Sequence, residues 1–299
     1  MKFSILITTK NRLSDLKVSL NSMLSIINRD DVEFVICDDG STDGTATYVA
    51  THFPKIHIIR NEVSKGYLYN RNKLLNTCKG TYAISLDDDA NFLSENPLEE
   101  IEKHFIENSK CGLIAFRIFW GKQKPKSIES NEKIECVKGF VGCGHVWRIE
   151  TWKKIPNYPE WFGFFGEESF ASLELFKKKY EVHYLPSVLV HHRVDIIARK
   201  SNNEYQWRLR RSFRSGWYLF FLFYPLNVIP RKIVYTFWIQ LKTKTFGGDF
   251  KATIAIFQAI GDVFLNLFKI IKQSDRLTNE EYKNYLKITD TKIFWKPNE

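Results

Sequence analysis

Apolar positions along the first hundred residues follow two alternating rhythms. Residues 3–8 form a short apolar run of extended character. From Asn11 onward, Leu13, Leu16, Leu20, Met23, Leu24 and Ile27 recur at helical spacing. Residues 31–37 form a second apolar run, which stops at Asp38-Asp39-Gly40. Thr42 or Asp43 can cap a helix that runs to about His52. Residues 56–60 predict a third strand, 66–78 a helix and 82–86 a fourth strand. Pro97 suits the first turn of a helix ending near Ser109. The order β-α-β-α-β-α-β predicts an α/β fold with a mainly parallel central sheet and helices on both faces.

The polar residues that end these strands carry the candidate chemistry. In parallel sheets, ligands bind outside the carboxyl ends of the strands. Three polar loops fall there: Thr8-Thr9-Lys10-Asn11-Arg12, Asp38-Asp39-Gly40-Ser41 and Asp87-Asp88-Asp89. Adjacent carboxylates repel one another, so three in a row after a buried strand need a reason. One reason is a solvated turn, where Asp is common. The other is a divalent cation, which takes oxygen ligands and relieves the repulsion. Convergence of three loops on one edge favours a site.

After Asp195 the pattern changes. Residues 215–230 carry no charge, but the run is shorter than the ~20 residues of a membrane span, and Pro225 and Pro230 interrupt it. Arg208, Arg210, Arg211 and Arg214 precede it, and Arg231 and Lys232 follow. Further on, Ile254, Phe257, Gly261, Phe264, Phe268 and Ile271 fall near one helical face. Two readings stay open. One is a helical subdomain packed on the sheet. The other is an interfacial membrane anchor, with basic residues at the headgroups and aromatics below them.

Composition sharpens this picture. The chain has 299 residues, 44% of them hydrophobic, enough for a catalytic-sized domain (1–195) with an extension (196–299). Its net charge is +10, all of it in the second part. Up to Asp195 there are 26 Lys/Arg and 26 Asp/Glu; after it there are 18 and 8. Such asymmetry points to an acidic partner surface, nucleic acid or an anionic membrane. The excess flanks apolar stretches, which suits lipid better than nucleic acid. Five cysteines without a C-x-x-C pair read as reduced core residues of a cytoplasmic protein. No apolar leader follows Met1-Lys2, so the expected location is cytoplasmic, peripheral on the inner face of the cell membrane.

Seven stretches in order resemble the family 2 glycosyltransferases: SILITTKNR, VICDDGSTDGT, KGYLYNRNKLL, KGTYAISLDDDA, FVGCGHVWRIE, FFGEESFASLEL and VLVHHR. The likeness runs from Phe3 to about Asp195. The resemblance implies the GT-A fold and an inverting, metal-dependent transfer of one sugar from a nucleoside-diphosphate sugar. The acceptor it implies is a glycan or a lipid-linked oligosaccharide, in bacterial surface polysaccharide assembly. By the same resemblance, Thr8, Asp38 and Asp39 belong to the nucleotide pocket, and Arg71 lies near the diphosphate. Asp87 and Asp89 form a D-x-D pair for Mg²⁺ or Mn²⁺; Asp88, between them and grouped with the donor-binding residues, points elsewhere if the strand's alternation continues. His191 or His192 matches a histidine that ligates the same metal in some relatives. Glu168 matches the general base, with Glu167 beside it as the alternative. Trp161, Phe162, Phe164 and Phe165 are candidates for the acceptor site, and Gly142 and Gly144 for close approach near the donor sugar.

Processive synthases of this family carry Q-x-x-R-W, and Gln206-Trp207-Arg208 lacks that spacing. Single transfers are therefore expected. A sugar nucleotidyltransferase is the rival enzyme, but it needs a glycine-rich loop where this chain has TTKNR. A non-catalytic, membrane-tethered binding protein is the rival from another class. Intact Asp87, Asp89 and Glu168 argue against it.

Overall fold

The structure, a computed structural model, describes residues 1–195 and 204–297. The expected boundary after Asp195 borders residues 196–203, which lie outside the described residues. In the first part, strands β1 (Phe3–Thr9), β2 (Val32–Asp38), β3 (Ile56–Arg60) and β4 (Tyr82–Asp87) alternate with α1 (Leu13–Ser22), α2 (Leu24–Ile27), α3 (Thr45–His52) and α4 (Tyr67–Thr77). The expected helix through Ile27 is broken at buried Met23, which leaves helical geometry. Next to the break, the Ser22 hydroxyl donates to the Ser19 carbonyl, the kind of local bond that competes with the helical ladder.

Then follow β5 (Ala90–Phe92), α5 (Pro97–Glu107), β6 (Cys111–Trp120), β7 (Glu135–Cys136), β8 (Gly144–Arg148), α6 (Ile149–Trp152), α7 (Glu167–Lys177) and β9 (Glu181–His192). The sheet order is β3-β2-β1-β4-β8-β6-β9-β5, with β7 paired to β9. The four strands read from the sequence pair parallel. β8 joins antiparallel to β4 and β6, and β5 joins antiparallel to β9. The complete sheet is therefore mixed.

Strand alternation divides the core in two. Phe3, Ile5 and Ile7 of β1 face one cluster with Leu16, Leu20 and Phe105. Leu6 faces the other, with Leu74, Trp147 and Phe170. Register brings the polar strand ends level: Thr8 of β1 sits between Cys37 of β2 and Asp87 of β4.

The C-terminal part contains α8 (Tyr205–Phe223), α9 (Ile229–Gln240), α10 (Phe250–Leu265), α11 (Leu267–Gln273) and α12 (Asn279–Leu286). Tyr218, Leu222 and Phe223 of α8 join the same core as Trp147 and Phe162. Much of the uncharged stretch 215–230 is thus packing surface. α10 packs on α8 through Ala252, Ala255, Ile256 and Ala259. An ion pair fixes this contact: Arg210 Nε and Nη2 both donate to Asp262, with Nε at 2.7 Å, and Arg214 Nη1 lies 3.3 Å away. No single described helix is long and apolar enough to cross a membrane.

Asp262 is buried and Arg210 is partly exposed. Asp262→Ala leaves two arginines unpaired, and the expected cost is about 2–4 kcal/mol. Urea unfolding would read it as a lower midpoint with an unchanged slope.

Candidate active site

A cavity of about 560 Å³ opens at the carboxyl ends of β1 and β4. Thr8, Asp39, Ser64 and Gly66 line one part of it, Asp87, Asp89 and His192 another, and Gly163, Phe164, Trp207, Arg208 and Arg211 a third.

The three consecutive aspartates take three directions. Asp87 Oδ1 accepts from Arg71 Nη2 at 2.7 Å. Asp88 borders the same cavity but is held inward, accepting from the Thr9 hydroxyl at 2.8 Å and lying 3.2 Å from Arg12 Nε. Burial, against the pull of Arg12, pushes its pKa up to about 7. Asp89 accepts from Arg12 Nη2 at 2.6 Å. Burial opposes its charge, but His192 and Arg12 outweigh that and hold its pKa well below the usual carboxylate range.

β9 resolves the histidine pair. Adjacent strand residues face opposite sides. His191 Nε2 contacts the Gly121 carbonyl at 2.7 Å, away from the aspartates. His192 Nε2 lies 3.0 Å from Asp89 Oδ1 and 3.8 Å from Asp87 Oδ2. One ligand atom each from Asp87, Asp89 and His192 falls within 4.8 Å of the others. Two carboxylates and an imidazole at this spacing suit a divalent cation.

The other expected residues divide. Asp38 is fully buried and accepts from the Ser41 N–H at 2.8 Å, so it anchors the turn below the cavity and is not part of its wall. Asp39 does line the cavity, but its oxygens already accept from Asn61, Ser64 and the N–H groups of Lys65 and Gly66. A carboxylate has about four acceptor sites, so Asp39 acts first as organiser of loop 64–66. Arg71 is buried behind Asp87 and orients it.

Glu167 and Glu168 begin α7, but neither forms the cavity wall. Burial raises the pKa of both, and for Glu167 the neighbouring Glu168 adds to the rise. Glu168 sits against Gly142, where an added Cβ would come within 2.8 Å of its Oε1 and 3.4 Å of the Tyr67 hydroxyl. Tyr67 is a cavity residue, so Glu168 lies just behind it. Gly144, by contrast, makes room for Ile118 and Val190 in the core. The aromatic run also divides: Phe162 is core, Trp161 lines a different cleft, and Phe164 reaches the cavity. Gly163, Phe165 and Gly166 of this turn all have positive φ, and a non-glycine residue held there is a mark of functional segments.

A model of the family Glycosyl transferase family 2 matches residues 4–172, more than half of the chain. The chain belongs to glycosyl transferase family 2. Over 108 residues it is 32% identical to WfaP of Escherichia coli, a UDP-Glc:alpha-D-GlcNAc-diphosphoundecaprenol beta-1,3-glucosyltransferase. That match spans 36% of this chain and 42% of the relative. A chondroitin synthase of Escherichia coli is 25% identical over 130 residues, 42% of this chain and 17% of its own length. Among solved structures, the mannosyltransferase PcManGT from Pyrobaculum calidifontis, in complex with GDP-Man and Mn²⁺, superposes with a TM-score of 0.55. It covers 95% of this chain and 78% of its own, at 14% identity. GalNAc-T7 with UDP, GalNAc and Mn²⁺ gives a TM-score of 0.59 at 13% identity, covering 75% of this chain and 48% of its own. At these identities the likeness is one of fold.

Several residues that border this cavity are not among the candidates singled out in the sequence, among them Arg12, Ser64, Tyr67, Trp207, Arg208 and Arg211. Arg12 is the countercharge of Asp88 and Asp89. Arg208 and Arg211, which in the sequence flank an apolar stretch that can face lipid, border the cavity instead, and Trp207 stands with them. Their signal was positional: with Glu204 they fall at i, i+3, i+4 and i+7, one helical face. Arg211 stacks 3.6 Å over the Trp207 ring and has no carboxylate within ion-pair distance among the described residues. Gly163 allows this approach, since an added Cβ would come within 3.2 Å of Arg211 Nη1. A second ligand-like cluster, His104, Cys111 and His183, lies elsewhere. There His104 Nε2 lies 2.9 Å from His183 Nδ1, and His183 Nε2 reaches Glu181, so the histidines satisfy one another without an ion.

The buried Glu167 has an oxygen without a partner. Its folded pKa is raised above the unfolded value of about 4.3, so it takes up a proton on folding, and that contribution to stability is lost as pH rises. Glu167→Gln removes the titration. Its thermal midpoint relative to wild type is expected to improve as pH rises above about 5; a constant difference would contradict this environment.

Proposed function

We propose that this family 2 chain transfers one sugar, with inversion, from a nucleoside-diphosphate sugar to a hydroxyl of a glycan or lipid-linked acceptor. The observation that carries this reading is the meeting of Asp87, Asp89 and His192 in a cavity bordered by Arg12, Arg208 and Arg211. Asp87, Asp89 and His192 would hold Mg²⁺ or Mn²⁺. When bound, the cation offsets the negative charge that grows on the leaving nucleoside diphosphate. The nucleoside end goes to Thr8, Ser64 and Gly66, in the loop that Asp39 organises. Arg208 and Arg211 offer guanidinium groups to phosphate oxygens. Arg71 keeps Asp87 turned toward the cavity.

Glu168 serves as general base, taking the proton from the acceptor hydroxyl as it attacks the anomeric carbon. Its raised pKa places it nearer the operating pH. To reach the hydroxyl it needs Tyr67 to swing aside, or the turn around Phe165 to shift. WfaP is named for UDP-Glc as its donor and a diphosphoundecaprenol-linked sugar as its acceptor. That favours a lipid-linked acceptor here, in polysaccharide assembly at the cytoplasmic face of a membrane, with no nucleic-acid partner.

The test is a thermal-shift panel of UDP, dTDP, GDP and CMP, each with Mn²⁺ or chelator. One nucleotide is expected to raise the midpoint only with metal, and Asp89→Ala to abolish that rise. Stabilisation unchanged in the Asp89 variant would remove the metal assignment. Glu168→Gln is expected to keep the metal-dependent rise while lowering turnover by about 10²–10⁴-fold. Turnover within tenfold of wild type would move the base elsewhere.

A further inference from the structure

α10 and α11 have two apolar faces. One is buried against α8, through Ala252, Ala255, Ile256 and Ala259. The other holds Phe250, Ile254, Phe257, Phe264, Phe268 and Ile271, and all six are exposed. Phe250 is 79% exposed, Phe268 78% and neighbouring Leu265 83%. Val234, Tyr235 and Trp238 of α9 are exposed too, and Trp238 reaches Phe246 just before α10, with ring centroids 6.1 Å apart. So many large apolar side chains in solvent on adjacent helices mark an interaction surface.

Charge identifies the partner. Residues 229–273 contain seven basic side chains, Arg231, Lys232, Lys242, Lys244, Lys251, Lys269 and Lys272, and two acids, Asp249 and Asp262. Both acids are engaged within the protein. Asp249 caps α10 at the Ala252 N–H and accepts from the Tyr205 hydroxyl, and Asp262 holds Arg210 and Arg214. A second copy of this face would bring like charges together. An anionic surface would not.

The apolar face also runs into a basic cleft. Phe268, Lys269 and Lys272 form one wall of a cavity of about 1140 Å³, and Lys153, Lys178 and Trp161 lie around it. None of these four lysines has a carboxylate within ion-pair distance among the described residues. The acids in the cleft are otherwise occupied: Glu160 accepts from Asn72, Asp275 pairs with Lys177, and Glu174 is buried.

We propose that the outer face of α10 and α11 is a docking surface for an anionic lipid bilayer, with Phe264 and Phe268 entering the headgroup boundary and a lipid phosphate seated among Lys153, Lys178, Lys269 and Lys272. The helices lie along the bilayer, because their inner face is committed to α8. This deepens the proposed function by naming the surface that brings the enzyme to a lipid-linked acceptor, but binding itself needs neither donor nor metal. The two readings therefore fail separately.

The test is sedimentation of the full chain with vesicles of phosphatidylcholine alone or with 30% phosphatidylglycerol (about physiological salt, with chelator). Wild type is expected to partition at least tenfold more strongly to the anionic vesicles. Lys269→Gln with Lys272→Gln should lower this about tenfold to thirtyfold, and Phe264→Ser with Phe268→Ser at least tenfold. All four side chains are exposed, so thermal midpoints should stay at the wild-type value and show that the variants fold. Equal partition to both vesicle types, or no effect of either double variant, overturns the proposal. A concentration-dependent dimer that Phe264→Ser with Phe268→Ser abolishes, without vesicle binding, overturns it in favour of a second copy.

Discussion

The site depends on the repulsion among carboxylates at the end of β4, and on how the fold distributes it. Asp87, Asp88 and Asp89 cannot share one environment as three anions. The chain separates them by direction and sets cationic partners around them. Arg71 comes up from α4 to Asp87. Arg12, from the loop after β1, reaches both Asp88 and Asp89. His192 arrives from the far side of the sheet, on β9, beside Asp89. Each partner comes from a different element, so the site exists only once β1, β4, β9 and α4 are assembled.

The second half of the chain completes the cavity. α8 presents apolar residues to the main core and a cationic face to the cavity. It carries four arginines in one short stretch, a repulsive arrangement in its own right. Asp262 of α10 neutralises Arg210 and Arg214. Arg208 has the exposed Glu204 at 3.9 Å and the rings of Phe164 and Phe165, and Arg211 has the Trp207 face. The same ion pair that fastens α10 therefore sorts these arginines into two structural cations and two that border the cavity.

Much of this was legible in the sequence. The four parallel strands stand where their apolar runs ended, because a buried strand needs a continuous apolar stretch and then a polar exit. Asp87 and Asp89 were legible for the same reason, as the exit of a central strand. The choice between His191 and His192 was not. It depends on which face of β9 meets the aspartates, and one residue of register inverts it. Asp38 looked equivalent to Asp39 because both leave the same strand, yet one is fully buried in the turn and the other borders the cavity. The role of α8 was hidden by composition: an arginine cluster before an apolar run reads the same whether the run meets lipid or protein. Only tertiary packing shows that Tyr218, Leu222 and Phe223 are core, while the apolar stripe of α10 is bare.

That reversal changes what the net charge of +10 means. As a single number it suits any acidic partner. In the folded chain the C-terminal cations fall into separate groups. Arg210 and Arg214 are consumed internally by Asp262, and Arg208 and Arg211 face the cavity. Lys269 and Lys272 stand beside exposed phenylalanines on the outer face. A nucleic-acid surface sets cations along a backbone track, with aromatics placed for stacking. Here the outer aromatics alternate with aliphatic side chains along a helix, and the cations stand at the border. That arrangement matches an interface with an apolar interior and an anionic rim, the profile of a bilayer surface.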